Sequence, residues 1–170
     1  MKKSLRFIAV LLILGLTIPA TAQTNAKFGY IDSNELIELM PGKDSVEAQL
    51  AEYQKNLERQ IEDMIVEYQN KVQDYQANLA TMSNIIKQTK EKEITDLEQR
   101  IQTFQQNAEL DFQNKQAELY NPLIEKAKKA ISEVAEENGY TYIFDAGVGI
   151  LLYYEKGDNI LPMVRAKLGL

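Results

Sequence analysis

The chain has 170 residues, contains no histidine and no cysteine, and carries 19 basic and 25 acidic residues, a formal net charge of −6. The lack of both residue types excludes Ser-His and Cys-His nucleophiles, zinc sites with nitrogen or sulfur ligands, and a disulfide framework. The acidic balance disfavours nucleic acid or an anionic membrane surface as the main partner, because both attract basic patches, and it favours basic partners.

Residues 1–22 are predicted to be a cleaved export signal. The first six residues carry three positive charges, the apolar stretch 7–16 follows, and Ala20-Thr21-Ala22 supplies the small residues that signal peptidase reads, so we expect cleavage between Ala22 and Gln23. The alternative is an uncleaved membrane anchor, but the apolar stretch is shorter than the roughly 18 residues of a spanning helix. Cleavage leaves 16 (19 − 3) basic against 25 acidic residues, a net charge of −9. We therefore expect an exported, soluble and distinctly acidic protein.

Residues 43–121 contain neither glycine nor proline, which predicts one very long helix or a hairpin of two helices. Pro41-Gly42 breaks the chain before them, and Asp44 followed by Glu47 is near the capping-box pattern, so we expect the helix to begin at about Ser45. Apolar residues then recur in ten steps over 36 residues, a mean spacing of 3.6, which is typical of a nearly straight helix with one narrow seam. The seam residues are Val46, Leu50, Tyr53, Leu57, Ile61, Met64, Tyr68, Val72, Tyr75, Leu79 and Met82.

A turn is predicted near Met82. Charged residues disappear from the segment 80–84, and Ser83 and Asn84, which favour helix caps, replace them. The alternative is an uninterrupted rod from Ser45 to Tyr120, roughly 110 Å long at about 1.5 Å per residue. A second apolar stripe follows that can lie antiparallel against the first: Ile94, Leu97, Ile101, Phe104, Ala108 and Phe112.

The two ends of the mature chain, 23–42 and 123–170, are predicted to form a small β-rich body below an arm of residues 43–122. Pro122 is expected to interrupt and kink the second helix, which should end at Asn138-Gly139. Strands are predicted at 27–31, 140–144 and 150–154, the last two joined as a hairpin through the loop 145–149, and Pro162 begins a short C-terminal helix.

So small a body favours self-association. Its core of about 60 residues is near the lower limit for independent stability, and a sheet of three strands has open edges. The alternative is a monomeric three-stranded sheet covered by helices.

No motif in the chain indicates catalysis. The pair Glu136-Glu137 is interpreted as solvated charge, and Asp32 with Glu35 has the spacing of a helix cap. The segment Gly147-Val148-Gly149 lacks the lysine and the following helix of a phosphate loop, so we interpret it as a turn. We therefore expect no enzyme, no catalytic residue, no metal and no cofactor.

The arm offers two candidate contact surfaces. Lys87, Lys90 and Lys92 near the tip alternate with polar and acidic residues, as on an exposed helix. The alternative is contact of this cluster with a client or a lipid headgroup, and membrane contact is expected only at the arm tip. The aromatic and methionine residues of the seam either pack the two helices together or form an adaptable surface for partners. The candidate partner-contacting residues are Tyr53, Tyr68, Tyr75, Met82, Phe104 and Phe112.

The order of these parts resembles the Skp/OmpH family of periplasmic chaperones. The resemblance spans the mature chain and is most specific in the strand Phe28–Asp32 and in the block Tyr142–Ala146 with the apolar segment after it. It implies a homotrimer whose strands form a small β-barrel body, with three helical arms around a cavity that holds unfolded outer-membrane proteins without ATP. The resemblance places these residues in the trimer body: Phe28, Tyr30, Ile31, Tyr142, Phe144, Leu151 and Leu152.

The charge of this chain departs from that pattern. Well-known members are strongly basic, whereas this chain is acidic, so we carry over no lipopolysaccharide site and expect electrostatic capture of clients to be reversed in sign or replaced by apolar contact. Our leading hypothesis is an ATP-independent periplasmic holdase. The alternative is a structural coiled-coil spacer or adaptor of the cell envelope that binds one folded partner.

Overall fold

The computed structural model describes residues 26–154 and 158–170. The elements within these ranges are strand β1 (Phe28–Ile31), helix α1 (Ser33–Glu38), helix α2 (Lys43–Asn78), helix α3 (Asn84–Glu137), strand β2 (Tyr142–Asp145) and helix α4 (Leu161–Leu168). Helices α2 and α3 pair as a long antiparallel hairpin, the arm, and the other elements pack around the C-terminal part of α3 as a small body. The expected α+β fold with a helical hairpin arm is confirmed. The predicted signal 1–22 and its Ala22–Gln23 junction lie outside the described residues.

The two ends of the arm hairpin follow from local chemistry. Helix α2 begins at Lys43, two residues before the expected Ser45, because Gly42 adopts a left-handed conformation with a φ of 98° and its carbonyl accepts from the Val46 N–H at 3.0 Å. The expected cap by Asp44 is wrong, since no side chain caps this helix. At the tip, Ser83 caps α3 through its hydroxyl, which accepts from the Ile86 N–H. The predicted turn near Met82 is confirmed, and the uninterrupted rod is excluded.

Helix α3 runs through Pro122 without a break. It spans 54 residues from Asn84 to Glu137, about 80 Å at about 1.5 Å per residue, so the interruption predicted at Pro122 is wrong. A proline removes one hydrogen bond of the helix, but the residues after it are held by the body: Ala127, Ala130 and Val134 are buried in its core. The arm and the body therefore share one continuous helix.

The described sheet has two strands. Strands β1 and β2 pair in parallel, with Phe28 opposite Tyr142 and Tyr30 opposite Phe144. An isolated bridge joins Tyr30 to Asn159 on the other side of β1. Gly29 faces the body, where an added Cβ would lie 2.9 Å from Ile143 Cδ1, so only glycine fits there without movement of its neighbours.

The strand predicted at 150–154 is absent from the single chain, and the hairpin predicted between it and β2 is therefore wrong. Residues 150–154 have no regular secondary structure, and Leu152 is 98% exposed. A strand needs hydrogen-bonding partners along its backbone, and within the described residues none is provided for this segment.

The core of the body lies between the sheet, α1, α4 and the C-terminal part of α3. Leu36, Ile160 and Val164 are its largest fully buried side chains, and Ala127 and Ala130 keep the α3 surface small so that the other elements approach closely. Asp32 caps α1 by accepting from the Asn34 and Glu35 N–H groups, as its spacing indicated. Lys167 ties α4 to α3 through ion pairs with Glu133 and Glu137.

We expect Leu36→Ala to destabilise the body by about 2–5 kcal/mol, because it removes a side chain that is 0% exposed and leaves a cavity. Leu39→Ala is the matched control, since Leu39 is 39% exposed and follows the same helix, and it should cost less than about 1 kcal/mol. Urea unfolding followed by circular dichroism measures both. Equal losses in the two variants would contradict the assignment of Leu36 to the core.

Candidate functional site: the arm seam and the exposed aromatic face

The outer surface of the sheet is aromatic. Phe28 and Tyr30 of β1 and Tyr142 and Phe144 of β2 alternate with inward-facing residues, so period-two geometry places all four on one side, the aromatic face. The Phe28 ring stacks on Tyr142 with centroids 5.8 Å apart and lies 6.0 Å from Phe144. The Tyr30 ring packs against the Tyr154 ring, with centroids 4.3 Å apart. Phe28, Tyr142 and Phe144 remain exposed, an unusual arrangement for so small a body.

An apolar segment continues this surface. In residues 148–154, the apolar segment, the exposed large side chains are Val148, Ile150, Leu152, Tyr153 and Tyr154. The residues that the resemblance placed in the trimer body therefore divide into two groups. Ile31 is buried in the core of its own chain, and Tyr30 and Leu151 are half-buried. The other four are exposed within the described chain: Phe28, Tyr142, Phe144 and Leu152.

A polar network fixes where the apolar segment leaves the sheet. The Asp145 carboxylate accepts from the Ser33 hydroxyl at 2.5 Å, the Ser33 N–H at 3.2 Å and the Gly147 N–H at 2.9 Å. Burial alone would raise the pKa of Asp145, but the hydrogen bonds from Ser33 and Gly147 outweigh it and hold the pKa below its ordinary value. Asn34 Nδ2 donates to the Gly147 carbonyl at 2.9 Å, so α1 anchors both sides of the turn.

Five of the six candidate contact residues of the arm are half-buried on the two helices that form the arm seam, the interface between α2 and α3, and Met82 is half-buried in the turn that joins them. The hydroxyls of two of them cross this interface, since Tyr53 donates to Asp111 and Tyr75 donates to Glu91. These hydrogen bonds, together with burial, raise the pKa of both tyrosines. The arrangement accounts for Tyr53 and Tyr75 as packing between the helices, and contact of the six side chains with a partner stays a prediction. The half-buried candidates are Tyr53, Tyr68, Tyr75, Met82, Phe104 and Phe112.

Ion pairs join the outer third of the arm. Lys71 contacts Glu93 at 3.0 Å, and Lys90 contacts Asp74 at 2.5 Å. The hydrogen bond from Lys90 lowers the pKa of Asp74 below its ordinary value. Lys92 pairs along its own helix with Asp96 at 2.6 Å. Two of the three tip lysines are therefore engaged in ion pairs, which supports the interpretation of this cluster as an exposed, charge-paired helix surface.

Shallow open grooves lie along the arm beside the seam. One groove of about 770 Å³ is lined by Met64 of α2 and, from α3, by Asp96, Gln99, Arg100, Thr103, Phe104 and Asn107. A second groove, of about 390 Å³, lies entirely on α2 and is lined by Glu58, Ile61, Glu62, Ile65, Val66 and Gln69. An adjoining groove of about 530 Å³ shares Val66 and includes Asp63, Glu67, Asn70, Lys71, Asp74 and Lys90. Shallow, open grooves of this kind suit extended chains better than enclosed small molecules.

Several exposed or half-buried apolar residues outside the seam escaped the pattern analysis. Ile65 and Val66 adjoin the seam residue Met64, and Ile85 and Ile86 are exposed at the arm tip, Ile85 at 78%. The signal was a run of consecutive apolar residues in a helix, since only one or two members of such a run can face a narrow seam.

The described residues contain neither a membrane-crossing helix nor a metal-binding cluster of acidic side chains. In 26–154 and 158–170 no helix is both long and apolar enough to span a bilayer. Across the same ranges, no group of three or more potential acidic ligands is placed to hold a metal ion.

We expect the double variant Tyr53→Phe and Tyr75→Phe to lower the mean midpoint of the tyrosine absorbance titration. It removes the two hydroxyls whose pKa the carboxylate hydrogen bonds raise above the ordinary value of about 10. Because the folded pKa is the higher one, these bonds stabilise the arm fully below about pH 10 and are lost as the pH rises through the raised value. Tyr68→Phe is the control. A midpoint that the double variant leaves unchanged would contradict the cross-arm bonds.

Known proteins are similar to this chain in sequence. The model of the family described as outer membrane protein (OmpH-like) matches residues 27–168. The chaperone protein Skp of Photorhabdus luminescens is 27% identical over 151 residues, which cover 89% of this chain and 90% of that protein. The chaperone protein Skp of Pectobacterium atrosepticum is 27% identical over 135 residues, which cover 78% of this chain and 82% of that protein.

A solved structure has the same fold. An OmpH-like protein from Caulobacter crescentus superposes with a TM-score of 0.69 at 11% identity, covering 84% of this chain and 83% of that one. At this identity the likeness concerns the fold alone. The sequence relatives and the family match along most of the chain lead to one conclusion: the protein belongs to the Skp/OmpH family.

Proposed function

We propose that the protein is an ATP-independent periplasmic holdase that binds unfolded outer-membrane proteins between the arms of a homotrimer. The observation that carries the proposal is the uncovered aromatic face at the base of a long arm, continued by the exposed apolar segment. A body that associates through this face would project several arms from one centre. The chaperone names of the sequence relatives support the same function and do not suggest an enzyme.

The assembly that we propose uses the exposed backbone as well as the rings. Strand β1 has β2 on one side and the Asn159 bridge on the other, whereas the outer edge of β2 has no strand beside it among the described residues. In the proposed trimer the apolar segment of one subunit adds to the sheet of its neighbour, which would cover its side chains and supply the missing hydrogen bonds. Self-association also enlarges a core that is small for one chain.

The arms suit a holdase because their grooves are shallow, apolar at the base and open along their length. Such surfaces bind apolar stretches of an extended chain without demanding one sequence, and release needs no nucleotide when each contact is weak. We propose no contact with nucleic acid. Contact with a membrane surface is expected only at the arm tip, where Ile85 and Ile86 are exposed beside Lys87.

Leu152→Asp should convert the trimer into monomers. Leu152 is 98% exposed in the single chain, so the substitution should change the stability of one subunit by no more than about 0.5 kcal/mol, while a charge buried in an interface costs far more. Sedimentation equilibrium measures the mass. Ile85→Asp is the control, since Ile85 is 78% exposed at the far end of the arm, and it should remain trimeric. A wild-type monomer, or a trimeric Leu152→Asp variant, would overturn the proposed assembly.

The mature protein should prevent aggregation of an unfolded outer-membrane β-barrel diluted from urea, at a near-stoichiometric amount of trimer and without ATP. Light scattering follows the aggregation, and the trimer-deficient Leu152→Asp variant should protect less because its arms no longer surround one client. Absence of protection at every ratio would exclude the holdase. Recovery of one folded envelope protein as a stable partner would instead support the spacer or adaptor.

A further inference from the structure

The apolar surface of helix α2 widens beyond the arm seam between Ile61 and Val66. A packed seam needs one apolar residue every three or four positions, but Met64-Ile65-Val66 provides three in a row. Ile61 and Ile65 are half-buried, and Val66 is 49% exposed. All three line one open groove on α2, and Val66 also lines the groove that adjoins it; the two grooves together are here called the α2 groove.

The rim of the α2 groove is acidic. Glu58, Glu62, Asp63 and Glu67 line it, all four are exposed, and none of them forms an ion pair with another described residue. The two lysines at the distal end of the groove are already paired across the arm, Lys71 with Glu93 and Lys90 with Asp74.

Basic residues nearby do not neutralise this rim. Arg59 lies one turn before Glu62 and Asp63, but its guanidinium donates to Asn56 at 2.7 Å. Between Arg59 and Lys71 the helix carries three carboxylates and no basic residue. A positive group that enters the groove would therefore meet carboxylates that form no ion pair with a described basic residue.

The groove has the length of a short peptide segment. Each of its two parts, Glu58 to Gln69 and Asp63 to Asp74, runs about 17 Å along the helix at about 1.5 Å per residue. An extended chain covers that distance with about five residues at about 3.3 Å each. An extended chain that places apolar side chains on the floor could direct the alternate side chains toward the rim.

The groove on the α3 side provides an internal comparison. It also has an apolar floor, with Met64 and Phe104, but its lining contains one acidic residue, Asp96, and one basic residue, Arg100. It therefore offers apolar contact without a preference for either charge. Selection by charge would arise on the α2 groove.

We propose that the α2 groove binds segments of unfolded client in which apolar residues alternate with lysine or arginine, so that the arm selects basic segments of its clients. This inference rests on the proposed holdase function and adds the class of segment that is held. Apolar burial supplies contact that tolerates many sequences, while the unpaired carboxylates supply the preference. Because the rim is exposed, the preference should weaken with salt, since charges are screened over about 8 Å at physiological ionic strength.

The test uses three labelled synthetic peptides with the same leucines, spaced by lysine, serine or glutamate. Fluorescence anisotropy with the full mature protein should give the tightest binding for the lysine peptide, weaker binding for the serine peptide and the weakest for the glutamate peptide. The differences should shrink between about 0.05 M and about 0.5 M NaCl. Equal affinity for all three peptides would overturn the inference.

The variant Glu62→Gln, Asp63→Asn and Glu67→Gln should weaken binding of the lysine peptide roughly three- to thirtyfold, as expected for three exposed charge contacts. Binding of the serine peptide should change less than about twofold. The matched control replaces three exposed carboxylates of the arm outside the groove, as Glu52→Gln, Glu98→Gln and Glu109→Gln. It changes the net charge equally. An equal loss of affinity for the lysine peptide in this control would assign the preference for basic segments to the whole arm, and would overturn the proposed role of the α2 groove.

The floor is tested by Val66→Gln, which keeps a good helix former and the charge of the arm. Binding of both the lysine and the serine peptide should weaken, and unchanged binding of both would overturn the role of the groove. Circular dichroism and the measured mass of each variant show that it has kept its helices and its assembly.

The aggregation assay separates the two proposals. If the wild type protects an unfolded β-barrel but binds the three peptides equally, the selection of basic segments fails and the holdase function stands. If the lysine peptide binds through the groove but no client is protected, the holdase function fails and the preference of the groove stands.

Discussion

The rest of the structure depends on the continuity of helix α3, which belongs to both the arm and the body. Its C-terminal part places Ala127, Ala130 and Val134 in the core under the sheet, and the same helix runs about 80 Å to the arm tip. Packing of these small residues fixes the direction in which the whole helix leaves the body. Helix α2 then needs only to follow α3, so the geometry of the arm is set at its base.

The arm is held together by a seam that mixes apolar and polar contacts. Tyrosines fill the space between the helices while their hydroxyls reach carboxylates on the opposite helix, as Tyr53 does with Asp111. Farther out, ion pairs such as Lys71 with Glu93 add to the contacts of buried side chains such as Leu97. Such exposed pairs contribute little individually, so the outer arm is held less firmly than its base. An arm of this kind suits weak, repeated contacts with a long chain better than it suits tight binding at one rigid site.

The body of a single chain leaves its own best apolar surface uncovered. Four aromatic residues share one face of a two-stranded sheet, and the segment after it exposes Leu152 almost completely. The failure of the strand predicted at 150–154 has the same origin. Its apolar composition was recognised correctly, but a strand needs a partner backbone, and composition cannot say that the chain itself lacks one.

Local chemistry in the sequence determined the helices of the arm, the turn near Met82, the cap by Asp32 and the end of α3 at Asn138-Gly139, because each depends on neighbours within a few residues. Only the tertiary structure decided that α3 passes through Pro122, since that depends on the packing of residues beyond the proline. The same holds for the α2 groove. The sequence shows Ile65, Val66 and the nearby carboxylates, but only the position of α3 determines which of them the seam covers and which remain available for binding.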